Sequence, residues 1–254
     1  MTTAMTTRNL AVKVALCVTI ALAFLSSAWA EDREESLQRV QASADVLNDI
    51  MAAPDKGIPL DIMNSALCVG VVPALKKGGF VFGAEYGKGM ATCRTSTGWS
   101  APAPFKVTGG SWGLQIGGQE VDLVMLVMNK KGMERLLSSK FKLGADASAA
   151  AGPVGRHVEG ETDWKMRAEV LTYSRARGLF AGVTVNGAVI DQDGDSTRAL
   201  YGSDPSFKTI LEGEAKAPAG TEPFLAAVKK FSVKATTAQN NNNGNNDKPS
   251  VAQK

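Results

Sequence analysis

The chain has 254 residues, with 28 Lys and Arg against 25 Asp and Glu and 44% hydrophobic residues. That is enough for one sizeable core, and a net charge of +3 is too small to mark a nucleic-acid binder. No nucleic-acid partner is expected.

The first element along the chain is a leader. Arg8 and Lys13 make a basic start, and VALCVTIALAFL (Val14 to Leu25) is an apolar core shorter than a bilayer span. Ala28-Trp29-Ala30 supplies a small-residue cleavage site. Residues 1–30 therefore read as a signal peptide, and the expected protein is exported, periplasmic or secreted. Loss of the leader's bases leaves the mature chain close to neutral. Cys68 and Cys93 remain, either as one bridge in an oxidising compartment or as two buried thiols.

Glu31 to Ala53 reads as a helix, because Leu37, Val40, Ala44, Leu47 and Met51 fall on one face. Pro54 ends it. IPLDIMNSA continues as a shorter helix with Pro59 near its first turn. Short β-branched or aromatic runs follow: LCVGVV (67–72), FVFGAEY (80–86), GMATCRT (89–95), FKVTGGSWGLQIG (105–117) and EVDLVMLVM (120–128). The last is apolar on both faces apart from Asp122, so it should be central and covered on both sides. KKGMERLLSS is a short inserted helix with Met133, Leu136 and Leu137 on one side.

FKLGADASAAAG (141–152) mixes alternation with very small residues. EVLTYSRA, GLFAGVTV and AVID come next, the first two joined near Arg177-Gly178. Asn186-Gly187 predicts a hairpin between the second and third. The fold class is α+β: a strongly curved, nearly closed antiparallel sheet with N-terminal helices packed on it. From Ala235 the Asn-rich tail has almost nothing apolar and is expected to be disordered. The expected organisation is a leader (1–30), a domain (31–234: helices 31–65, mainly β 66–202, a C-terminal segment 203–234) and a tail (235–254).

Two motifs invite a chemical reading. In DQDGDSTRALYG, Asp191, Asp193 and Asp195 fall on the first three ligand positions of a calcium loop. The sixth and twelfth positions hold Ser196 and Gly202, where such a loop needs glycine and a bidentate glutamate. A solvated turn at a strand end is the better reading. Gly109-Gly110-Ser111-Trp112-Gly113 matches G-x-S-x-G and is followed by Asp146 and His157. The serine lies between strands, however, not at the strand-to-helix elbow that chemistry requires. The lone histidine and the separated cysteines form no metal cluster, and GAEYGKG joins two strands without opening a helix. No catalytic residue, metal or cofactor is expected.

The run from Ala66 to Gly202 resembles the SYLF domain, also called the Ysc84 actin-binding domain. The matching blocks are GGFVFGAEYGKGMATCR, GWSAPAPFKVTGGSWGLQIGGQEVDLVMLVMN, LGADASAAAGPVGR and EVLTYSRARGLFAGVTVNGAVIDQD, in the family's order. The resemblance implies a non-catalytic lipid-binding domain and places Asp191 to Asp195 in a hairpin-associated turn. Some relatives bind actin, a partner that an exported chain would not meet, and some reach membranes through a basic N-terminal helix. Here that helix is acidic (Glu31, Asp32, Glu34, Glu35, Asp45, Asp49), so that mode does not carry over.

Counting the turns alternately gathers Lys76, Lys77, Trp99, Lys130, Lys131 and Arg135 at one end, with Lys88 at the other. A basic end with an exposed indole suits acidic phospholipid headgroups. The rival expectation is a structural or adaptor protein holding envelope protein partners.

Overall fold

The computed structural model describes residues 32–53, 57–79, 82–112, 117–154, 168–176, 179–182 and 187–243. The leader and residues 244–254 lie outside the described residues, as does His157.

Helix α1 (32–52) buries Val40, Ala44 and Leu47 of the stripe seen in the sequence, together with Ile50, while Leu37 and Met51 are half-buried. Helix α2 (Leu60–Ser65) starts at Pro59, whose lack of an N–H costs nothing there. The long strands β1 (Cys68–Gly79) and β2 (Phe82–Thr95) follow. Next come the short β3 (Gly98–Trp99), then β4 (Ala103–Trp112) and β5 (Gly117–Val127). Helix α3 (Lys130–Leu137) is capped by the Asn129 side chain, which accepts from the Gly132 N–H at 2.9 Å. The rest are β6 (Lys140–Lys142), β7 (Ala149–Ala151), β8 (Val170–Ala176), β9 (Leu179–Gly182), β10 (Val189–Gln192), α4 (Gly194–Tyr201), α5 (Phe207–Leu211) and α6 (Glu222–Asn243).

The strands form one sheet in the order β6-β10-β4-β2-β1-β5-β8-β7, with β3 on β2 and β9 on β8. All pairs are antiparallel except β7 with β8. Flat, such a sheet would set β6 and β8 on the order of 30 Å apart at normal strand spacing. Instead Phe141 of β6 and Val170 of β8 line one cavity together with Gly70, Phe105 and Met125. The sheet is therefore curled into a half-barrel, an α+β fold of the expected kind. That cavity is about 10 Å³, room for one water at most. Glycine permits the tight curl: a Cβ on Gly89 would lie 2.2 Å from the Val71 carbonyl oxygen and 3.0 Å from the Phe105 ring.

Two apolar layers lie on the two faces. Val72, Leu75, Phe105, Leu123 and Met125 face inward, towards α3 and α5. Val69, Val71, Val124 and Leu126 face outward, beneath α1, α2 and α6. From Val121 to Val127 β5 is thus covered on both sides, as its continuous apolar run predicts.

The structure corrects four readings. FGAEY (82–86), the described part of FVFGAEY, and GMATCRT belong to one strand: Gly87-Lys88-Gly89 pairs with Val107, Lys106 and Phe105 instead of turning. The Asn186-Gly187 hairpin onto β9 does not form, because β10 has β4 on one side and β6 on the other. Gly187 does take the left-handed conformation, φ 91°, but its N–H goes to the Leu143 carbonyl, and so leads β10 in beside β6. Three helices occupy 194–243, where no element was expected. Of these, α6 runs to Asn243, beyond Ala235, where composition led us to expect order to end.

Candidate functional site

The continuous β2 removes one turn from the count, and with it the single basic end. Lys76 pairs across the sheet with Tyr86 and Glu120, and Lys77 with Glu85 and Gln119, close to the β1–β2 hairpin. Trp99 lies on β3 at the far end of β2, and Lys130 and Lys131 follow the far end of β5. Lys76 and Lys77 are therefore separated from Trp99, Lys130, Lys131 and Arg135 by the length of the sheet. The two lysines border a shallow groove of about 550 Å³ that Tyr86, Glu85 and Glu120 also line. It is not a basic site, because Glu85 pairs with Lys77 at 3.4 Å.

Trp99 is not an exposed anchor. It is half-buried against the outer core, donates its indole N–H to Ser232 at 3.3 Å and carries the Arg94 guanidinium 4.5 Å from its ring. Arg94 also donates to the carbonyls of Asn64 and Ala66 at the end of α2. Burial lowers its pKa. The pair fastens α2 and α6 to the sheet, which is a structural task.

The aspartate run is a strand-to-helix junction, neither a calcium loop nor a hairpin turn. Asp193 is the N-cap of α4 and is 3% exposed. It accepts from the Ser196 hydroxyl at 2.7 Å and pairs with Lys88 at 3.1 Å. Burial alone would raise its carboxyl, but the hydrogen bonds from Ser196 and Lys88 and the Lys88 charge outweigh it and hold the group below the usual carboxylate range. Asp191 pairs with Lys106 at 3.7 Å, and Asp195 with Arg198. Lys88 and Lys106 stand directly opposite each other on β2 and β4, so two of the aspartates are counter-ions to a like-charge pair. Lys88 is accordingly not a free loop lysine. No group of metal-ligating side chains occurs among the described residues.

Ser111 lies within β4, paired with Gly83, so no elbow exists. The Asp146 carboxylate accepts from the Lys142 N–H at 2.7 Å, a turn contact. Asp122 satisfies a β-bulge: β1 changes register between Val72 and Leu75, and the freed Ala74 N–H donates to Asp122 at 3.1 Å. Arg175 joins Asp122 to Asp49 of α1.

What remains of the expected set is a ridge. Lys130, Lys131 and Arg135 of α3 are exposed, as are Lys140 and Lys142 of the edge strand β6, against which α3 packs. Lys131 pairs with the buried Glu169 at 2.6 Å. Lys130, Arg135, Lys140 and Lys142 form no ion pair among the described residues. The two β6 lysines were missed by sequence reasoning. Their signal was the alternation Lys140-Phe141-Lys142, an inward Phe between outward lysines, as edge strands often carry.

A family model described as Ysc84, Las17-binding protein actin regulator, matches residues 108–231. The rat SH3 domain-containing YSC84-like protein 1 is 32% identical over 186 residues, 72% of this chain and 54% of that protein. The chain belongs to the Ysc84 family. Further Ysc84-family relatives come from Saccharomyces cerevisiae. Protein YSC84 is 29% identical over 204 residues, covering 79% of this chain and 43% of its own length. LAS seventeen-binding protein 3 is 30% identical over 186 residues, covering 72% and 40%. The chain spans about half the length of the curated relatives it matches. The Ysc84 match contains the whole ridge and the aspartate junction.

Proposed function

We propose that this Ysc84-family chain is a non-catalytic protein of the cell envelope that binds acidic phospholipid headgroups through the ridge of α3 and β6. The observation that carries this reading is the set of exposed, unpaired cations Lys130, Arg135, Lys140 and Lys142 on two adjoining elements. Unpaired surface cations near an anionic bilayer contribute about 1 kcal/mol each, attenuated by salt. The small volume of the cavity beside Phe105 and Phe141 favours headgroup contact over uptake of an acyl chain there. Export is supported by the leader-like residues 1–30 and by the buried bridge between Cys68 and Cys93, a feature of oxidising compartments.

The test is flotation of the chain lacking residues 1–30 with phosphatidylcholine vesicles, with and without phosphatidylglycerol. Binding should require the anionic lipid and weaken as salt rises. Lys140→Glu with Lys142→Glu should reduce it at least tenfold at low salt, and Lys77→Glu on β1, four strands away from β6, should leave it unchanged. Loss of binding in Lys77→Glu but not in the β6 variant would overturn the assignment. The family description as an actin regulator makes an acidic protein filament the second reading. Co-sedimentation with filaments and no flotation would favour it.

A further inference from the structure

Beyond the Val69, Val71 and Leu126 level the outer face of the sheet loses its helical cover. Three side chains stand there in one cross-strand row: Tyr86 of β2, Lys76 of β1 and Glu120 of β5. All three are exposed, and Tyr86, at 48%, is the most exposed large apolar side chain among the described residues. The next row towards the hairpin is Gly110, Ala84, Gly78 and Gly118, again in register across β4, β2, β1 and β5. A Cβ on Gly78 would meet nothing within 4 Å, and one on Gly110 only the Gly83 carbonyl oxygen at 3.8 Å. The face is thus a shallowly grooved shelf of open backbone bordered by an aromatic ring and two opposite charges. Neither Lys76 nor Glu120 forms an ion pair among the described residues.

We infer that this bare sheet face is where a second copy of the chain docks, face to face. The argument for that occupant is charge complementarity under two-fold symmetry. Lys76 and Glu120 are directly opposite on neighbouring strands. A two-fold axis running along the strands between β1 and β5 sets Lys76 of each copy over Glu120 of the other. An isologous contact needs such a self-complementary pattern, and two ion pairs form at once. The glycine and alanine row lets the two sheets approach without the interdigitated side chains that hold stacked sheets about 10 Å apart. Tyr86 adds an amphipathic ring of a type enriched at protein interfaces. The ridge lies apart from this contact, with β6 at the sheet edge four strands from β1 and α3 past the far end of β5, so the inference does not depend on the lipid reading.

The test is the mass of the chain lacking residues 1–30 in solution, by sedimentation velocity and light scattering over a concentration series. The wild-type chain should reach twice the monomer mass. Lys76→Glu alone sets Glu against Glu in the contact, and Glu120→Lys alone sets Lys against Lys; each variant should be monomeric while melting as a folded protein. An equal mixture of the two should regain the doubled mass, because every contact then joins opposite charges. That recovery separates docking from any effect within one chain. A wild-type chain that stays monomeric at the highest concentration, or a mixture that does, would overturn the inference. So would single variants that remain dimers. If the face served a membrane instead, the charge-swapped mixture would show no mass recovery.

Discussion

β1 and β2 pass through two environments. From Cys68 to Val72 the strand β1 is buried on both faces, between the inner apolar layer and the layer of α1, α2 and α6. From Lys76 onward its outer side is bare. The change happens at the bulge around Ala74, which holds a positive φ of 52° and is anchored by Asp122. In the covered half, polar groups are counter-ions for one another. On the bare outer side, Lys76 and Glu120 form no ion pair among the described residues. A charge has a structural task below the bulge and is available to a partner above it.

The largest break in that comparison should come from Lys88→Ala. It leaves the buried Asp193 carboxylate without its cation, and loss of one partner of a buried pair costs about 3–5 kcal/mol, readable in urea unfolding. Lys106→Ala, whose partner Asp191 is 30% exposed, should cost under about 1 kcal/mol. The pH dependence has a definite sign. The Asp193 carboxyl is lowered in the folded chain, so its contribution is complete above the ordinary carboxylate range and fades as pH falls through the lowered value. Asp193→Asn should flatten the acid limb of a stability profile.

Reduction of the Cys68–Cys93 bridge comes next. It closes a loop with a sequence separation of 25, worth about 3.5 kcal/mol by chain entropy. A Cys68→Ala, Cys93→Ala variant should melt lower and become insensitive to reductant. Asp122→Ala should cost about 2 kcal/mol, the scale of hydrogen bonds to a charged group, with faster hydrogen exchange at Ala74. The smallest effect belongs to the bare half: Lys76→Ala should change stability by no more than about 0.5 kcal/mol. A larger loss there would mean that the two halves do not differ in kind.

How much of this was legible in the sequence depended on how local the signal was. The stripe of α1, the Pro59 start of α2 and the two-sided burial of β5 were readable, because each follows from period or run length alone. The continuity of β2 was not: Gly87 and Gly89 read as a turn, whereas they are glycines because Val72, Leu75 and the Phe105 ring occupy their side-chain space. That single miscount split the expected basic site. The Asn186-Gly187 signal was right about backbone and wrong about partner, since long-range pairing of β10 with β4 decided the register. In the aspartate run the Asp193 cap was misread as turn chemistry, for N-caps and turns draw on the same residues. Nothing local tells the two apart until Lys88 is seen beneath it.

The first and last helices lie side by side. Arg33 of α1 donates to the carbonyls of Leu200 and Ala219, Lys230 of α6 donates to Asn48, and Val40, Leu47, Phe224 and Val228 share one apolar layer. A nascent chain therefore emerges with its opening helix unable to bury the whole of that stripe until the closing helix has been made. Contacts so distant along the chain form late, which keeps the growing polypeptide open through most of its synthesis. A stalled or truncated product ending before Phe224 should stay loosely packed and protease-sensitive, whereas joining the two neighbouring helices by a short linker, with new ends cut elsewhere, should speed folding.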